Sequence, residues 1–178
     1  MHKLIFINIL FYFYLEVIKM KYIEDLELDG EYIEGIVQLK NIDKPIKICS
    51  YSEVGRPYIE KCLNHFENLS DERWKELKYY IEKYAKDMEY DIKGNDVLKN
   101  IKFQNIQIKY PSVLSSNNDL ISTYSIECSC KWEIEHGMEI VIKGDKIMYV
   151  GTFDDVGLWH KEDYYKGILG NYVYCDIE

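Results

Sequence analysis

The stretch from Thr123 to Gly151 constrains the fold more than any other part of the chain. From Tyr124 to Ile134 apolar and polar residues alternate without a fault. Tyr124, Ile126, Cys128, Cys130, Trp132 and Ile134 fall on one side, and Thr123, Ser125, Glu127, Ser129, Lys131 and Glu133 on the other. A period of two is the pattern of a strand with one buried face and one wet face. A loop of Glu135, His136 and Gly137 sets Ile134 opposite Met138, Trp132 opposite Ile140 and Cys130 opposite Ile142, so apolar meets apolar. A loop one residue shorter throws the faces out of register. Gly137 takes the left-handed position that closes such a loop. A second turn at Gly144-Asp145 sets Ile142 against Ile147 and Ile140 against Tyr149. The sequence thus writes a three-stranded meander.

Upstream, Tyr22 to Leu28 and Tyr32 to Leu39 read as strands joined at Asp29-Gly30, a strong hairpin dipeptide. Pro45 to Tyr51 gives another strand. Gly55-Arg56-Pro57 then opens a helix, since Pro suits the first turn, and Ile59, Cys62, Leu63 and Phe66 form its apolar stripe. Ser70 is a good N-cap for a second helix, with Asp71 and Glu72 at the positive end of its dipole. Trp74, Leu77, Ile81, Tyr84 and Met88 make a buried stripe at helical spacing, and Glu82 and Lys86 stand in pairing position on the wet side. Ile101 to Tyr110 is a strand whose phase slips at Asn105, which a bulge explains. These elements predict one α+β domain over residues 20–178, an antiparallel sheet of meander hairpins with two helices packed on one face.

The opening run Leu4 to Leu15 is apolar but too short for a bilayer, which takes about 20 residues of helix. No small-x-small cleavage site follows it. Two readings stand for residues 1–19: a start called too early, with Met20-Lys21 the natural beginning, or an export or anchoring segment. No integral membrane span is expected. The five cysteines are odd in number and irregularly spaced, which fits a reducing cytosol rather than a disulfide framework.

A formal charge of -9 and a pI near 5.0 argue against nucleic-acid binding, which needs clustered Lys and Arg. A basic protein is the partner such a field steers. The acids concentrate in two places. The first hairpin carries Glu24, Asp25, Glu27, Asp29, Glu31 and Glu34, with no Lys or Arg between Lys21 and Lys40. The irregular stretch after Gly151 mixes Asp154, Asp155, Glu162 and Asp163 with Trp159, Tyr164 and Tyr165. Aromatics among acids suit a protein interface, with rings as anchors and carboxylates steering.

Two other constellations bear on chemistry. Cys128-x-Cys130 is compatible with a soft metal, but no second pair stands at zinc-ligand spacing, and buried thiols packing as small hydrophobes account for it better. Glu135, His136, Asp154 and His160 are the residue types of a metal-dependent hydrolase. No spacing, however, fixes two of them on one element. There is no G-x-S-x-G and no phosphate-binding glycine loop, so no catalytic residue and no cofactor is expected.

The run Asp29-Gly30-Glu31-Tyr32-Ile33-Glu34-Gly35, followed by two amphipathic helices, resembles a set of small uncharacterised bacterial domains. The block Cys130-x-Trp132-x-x-Glu135-His136-Gly137, with Lys143-Gly144-Asp145 and Val150-Gly151 after it, is similar to their most recognisable stretch. The resemblance covers about Tyr22 to Asp155 and supplies no catalytic residues. It implies a domain of unknown function, some members of which stand beside polymorphic-toxin genes as immunity proteins. The expectation is therefore a non-enzymatic, cytoplasmic, acidic binding protein that neutralises a basic toxin domain. Its contacts are expected at Glu24, Asp25, Glu27, Asp29, Glu31, Glu135, His136, Asp154, Asp155 and Trp159. The alternatives are the hydrolase and a structural or regulatory module.

Overall fold

The computed structural model describes residues 26–110 and 120–175. The apolar opening run, Glu24 and Asp25 lie outside the described residues. The described chain is α+β, with a seven-stranded sheet whose spatial order is the order of the sequence. Its strands are β1 (Glu27–Asp29), β2 (Tyr32–Val37), β3 (Ile46–Tyr51), β4 (Ile101–Ile108), β5 (Thr123–Cys130), β6 (Met138–Lys143) and β7 (Lys146–Thr152). The helices are α1 (Arg56–Glu67), α2 (Asp71–Asp87) and a short α3 (Glu162–Lys166).

Local signals place the first elements where the sequence put them. Gly30 turns the β1–β2 hairpin at φ +61°, a backbone conformation that costs glycine nothing. Pro57 sits in the first turn of α1, and the Ser70 hydroxyl accepts from Arg73 N at 3.2 Å to cap α2. Phe66 of α1 meets Phe103 and Tyr124 at 5.8 and 5.9 Å, and Tyr84 of α2 meets Trp132 edge-on at 6.1 Å. Ile59, Leu63, Leu77 and Ile81 are fully buried in the same cluster as Ile48, Ile106, Ile126 and Ile140. Met88, expected to end the α2 stripe, is exposed as the C-cap, because the helix stops at Asp87. Glu82 accepts from Gly94 N at 2.6 Å, tying the end of α2 to the turn that follows.

Four features depart from the sequence reading. The pair β3–β4 is parallel, with Ile48 opposite Ile106. The chain passes through α1 and α2 between these strands, and such a crossover returns it in the same direction. The phase slip in β4 leaves Gln104 as the extra residue between Phe103 and Asn105.

The meander is the second departure. β5 ends at Cys130, and Cys128 rather than Ile134 stands opposite Met138. The shift is even, so every residue of β5 keeps its face. The connecting turn is wider than the expected three residues. Trp132 leaves the ladder to pack on Tyr84 and Tyr90, and Ile134 is 85% exposed. Glu133 braces this turn by accepting from the N–H groups of Glu135 and His136 at 3.2 and 3.3 Å. Gly137 is left-handed as expected, at φ +75°, and a Cβ there would stand 2.6 Å from Cys128 O.

Third, Ile140 faces Val150 rather than Tyr149, because the ladder shifts between Val141 and Ile142.

Fourth, the face of β5–β7 expected to be wet is covered. Residues 153–175 form the C-terminal strap, whose first part lies over it. Val156, Leu158 and Tyr165 form a second cluster there with Val141, Met148 and Tyr149. Tyr172, near the end of the strap, instead joins the main core and stacks on Tyr84 of α2 at 4.8 Å.

Candidate functional site

The face of the sheet opposite to that of Ile48, Ile106, Ile126 and Ile140 has two halves, and the register shows which residues each presents. Glu27 faces Glu34, Glu34 faces Cys49, Cys49 faces Gln107, and Gln107 faces Ser125. A neighbouring row runs Ile36, Lys47, Asn105, Glu127 and Glu139. Over β1–β4 these side chains are half-buried or exposed. Tyr32 and Ile36 remain 41% and 61% exposed, and the Tyr32 ring packs on Tyr51 at 5.0 Å. A groove of about 1050 Å³ opens here, lined by Glu27, Asp29, Glu34, Ile36, Lys47 and Gln104. Lys47 binds Glu34 at 2.9 Å, which holds the Glu34 carboxyl below the usual range.

The strap bounds the uncovered half on its other side. It leaves β7 at Asp154, where Asp155 takes a positive φ of 46°, a conformation that Asp tolerates better than most residues. Asp155 pairs with Lys109 at 3.1 Å, and Trp159 Nε1 donates to Lys109 O at 2.7 Å. The strap therefore reaches the end of β4. Lys143 holds it at the far end of β6, donating to His160 O at 3.0 Å with its ammonium over the Trp159 ring.

The residues singled out in the sequence thus fall into separate groups. Glu27, Asp29 and Glu31 lie on the first hairpin, all exposed. Glu135 and His136 lie in the β5–β6 turn, and Asp154, Asp155 and Trp159 on the strap. The hydrolase quartet does not assemble. His136 pairs with Glu133 at 3.5 Å beside the start of β6, whereas His160 stacks on Tyr164 at 3.8 Å beside Lys143, at the end of β6. A six-residue strand separates its ends by about 17 Å. Among the described residues, no group of three His, Cys, Asp or Glu side chains is placed to hold a metal ion. Cys128 and Cys130 are buried free thiols, and burial pushes both up, Cys130 to about 11.

Sequence reasoning passed over two residues that organise this region. Asn171 is buried, and its side chain replaces a missing strand along β7. Its Nδ2 donates to Met148 O at 2.9 Å and to Tyr165 O at 3.0 Å, while its Oδ1 accepts from Val150 N at 3.3 Å. Glu139 is the second, a fully buried carboxyl near the start of β6. The run Met138-Glu139-Ile140-Val141-Ile142 carried the signal: apolar residues point to both faces, so its one acid must be buried.

Among the described residues, no helix is long and apolar enough to cross a membrane. No curated protein and no solved structure matches the chain. A family model matches residues 22–158, which takes in the whole sheet and leaves most of the strap beyond its end. By that match the chain belongs to the family described as a domain of unknown function, DUF6985.

Proposed function

We propose that this protein is a non-enzymatic binding module that receives a basic protein on the uncovered half of its sheet. One observation carries the reading: Glu27, Asp29 and Glu34 share a concave groove with the exposed Ile36, and the exposed Tyr32 stands on the same sheet face. Carboxylates around apolar anchors match the anatomy of a protein interface, in which the charges steer and the buried apolar contacts hold. Asp154, Asp155 and Trp159 extend the same chemistry along the strap. The net charge of -9 supports a cationic partner. An immunity role follows if that partner is a toxin domain. The free thiols support action in a reducing compartment such as the cytosol.

The test compares the wild-type chain with E27K/D29K/E31K as affinity baits across a salt series. A stoichiometric basic protein should be retained by the wild type, released by rising salt and lost by the triple variant. An acidic or neutral partner, retention unaffected by the charge reversal, or no stoichiometric partner overturns the reading. Co-expression then tests immunity: cells producing the captured partner should grow only when the wild-type chain is present.

A further inference from the structure

Glu139 has no exposed surface. Its Oε2 accepts from Val156 N at 2.9 Å and from Asp154 N at 3.4 Å, the two amides at which the strap turns away from β7. Its Oε1 is buried with no hydrogen-bond partner. Charged and titratable groups face it from every surrounding element: Glu127 from β5, Tyr149 from β7, Asp154 and Asp155 from the strap, Tyr165 from α3 and Lys109 from beyond β4. Lys109 is already paired with Asp155, and burial pushes the two phenols well above their ordinary range. When Glu139 ionises, the strap amides stabilise one oxygen, while the other holds buried charge that no donor meets. Lifting the strap admits water to it.

We propose that Glu139 is a proton-operated latch: neutral, it keeps the C-terminal strap down on the sheet, and ionised, it favours the open strap. Burial outweighs the two amide donors and raises the closed-state carboxyl to about 7, with Asp155 adding to the rise and Lys109 opposing it. In the open strap the carboxyl returns toward its ordinary value of 4.5. Below that value both states are neutral and there is no bias. Between the two values the open state ionises first, so opening rises with pH, and above the higher value it levels off. Because Asp154, Asp155 and Trp159 ride on the strap, its opening moves these three members of the proposed interface away from Lys109. The latch itself stands whether or not a partner binds there.

The experiment is amide hydrogen exchange on the full chain at pH 6 and pH 8, with protection corrected for intrinsic exchange. Protection at Val156, and at Tyr172, whose N–H bonds Val150 O at 2.9 Å, should fall about tenfold between the two conditions. E139Q should show equal protection at both. H160Q should keep the tenfold response, which separates the latch from the strap's own imidazole, the other type of side chain that changes charge near neutrality. Equal protection in the wild type, a retained response in E139Q, or a lost response in H160Q overturns the latch. If E139Q does not fold, carbon-13 titration of the Glu139 carboxyl in the wild type decides: a midpoint near 7 supports the latch, and one near 4.5 overturns it.

Discussion

The two halves of one sheet face make the instructive comparison. Over β5–β7 the face carries Val141, Met148 and Tyr149, sealed by Val156, Leu158 and Tyr165 of the strap. Over β1–β4 the same face carries Glu34, Lys47, Cys49 and Gln107, with nothing fully buried among them. The strands are continuous members of one sheet, so backbone hydrogen bonding does not distinguish the halves. Composition at alternate positions does. On this face β6 and β7 set Val141, Met148 and Tyr149 side by side, whereas β2 and β3 interleave Tyr32 and Ile36 with Glu34, Lys47 and Cys49. An apolar patch of this kind must find a second layer, and here Val156 and Leu158 at the end of the family match and Tyr165 beyond it supply that layer. The covered half is therefore part of the core, and the uncovered half is left open to solvent.

Substitutions can break or sharpen that contrast. Tyr165 is fully buried, and its hydroxyl donates to Gly157 O at 2.6 Å. Tyr165→Ala should remove the centre of the strap cluster at a cost of about 3–5 kcal/mol, measured by denaturant unfolding, and should open the strap to limited proteolysis. Next in size is the pH effect of Glu139. Its contribution should fall as pH rises from 4.5 to about 7 and then stay level, a loss of about 3 kcal/mol at most. Unfolding curves of the wild type and E139Q across that window should diverge by this amount. Asn171→Ala leaves Val150 N and Met148 O without side-chain partners and should cost about 1–3 kcal/mol, seen as a lower unfolding midpoint with the same slope. Ile36→Thr, on the uncovered half, should change stability by no more than about 0.5 kcal/mol. If it destabilises as Tyr165→Ala does, the two halves are not different in kind.

Signals confined to a few neighbouring residues were legible in the sequence: Asp29-Gly30, Pro57, the Ser70 cap and the bulge beside Asn105. Long-range choices were less so. A repeat of two fixes the face of each residue in β5 but is blind to any even slide along the partner. The choice of Cys128 over Ile134 opposite Met138 depends on Trp132 finding Tyr84 and Tyr90, which lie far back in the chain. The groove was half legible. The acids of the first hairpin announced themselves, but their concavity with Ile36, Lys47 and Gln104 arises only once β3 and β4 are joined. Nothing local marks Asn171 as the residue that closes the edge of β7, because its partners there, Met148 and Val150, lie far back in the sequence.

The single parallel joint between β3 and β4 also governs how the molecule assembles. Every other neighbouring pair of strands in the described sheet is joined by a much shorter connection, so each can zip from it. The β3–β4 ladder instead requires the ends of a loop of roughly 50 residues to meet, an entropic toll that precedes any reward from the contact. Folding should accordingly wait on α1 and α2 to shorten that loop before Ile48 can find Ile106. Weakening that pair should slow folding, whereas weakening Ile140 and Val150 should mainly hasten unfolding. The first three strands and the last four are then two local assemblies, and their meeting is the slow event in the birth of the groove.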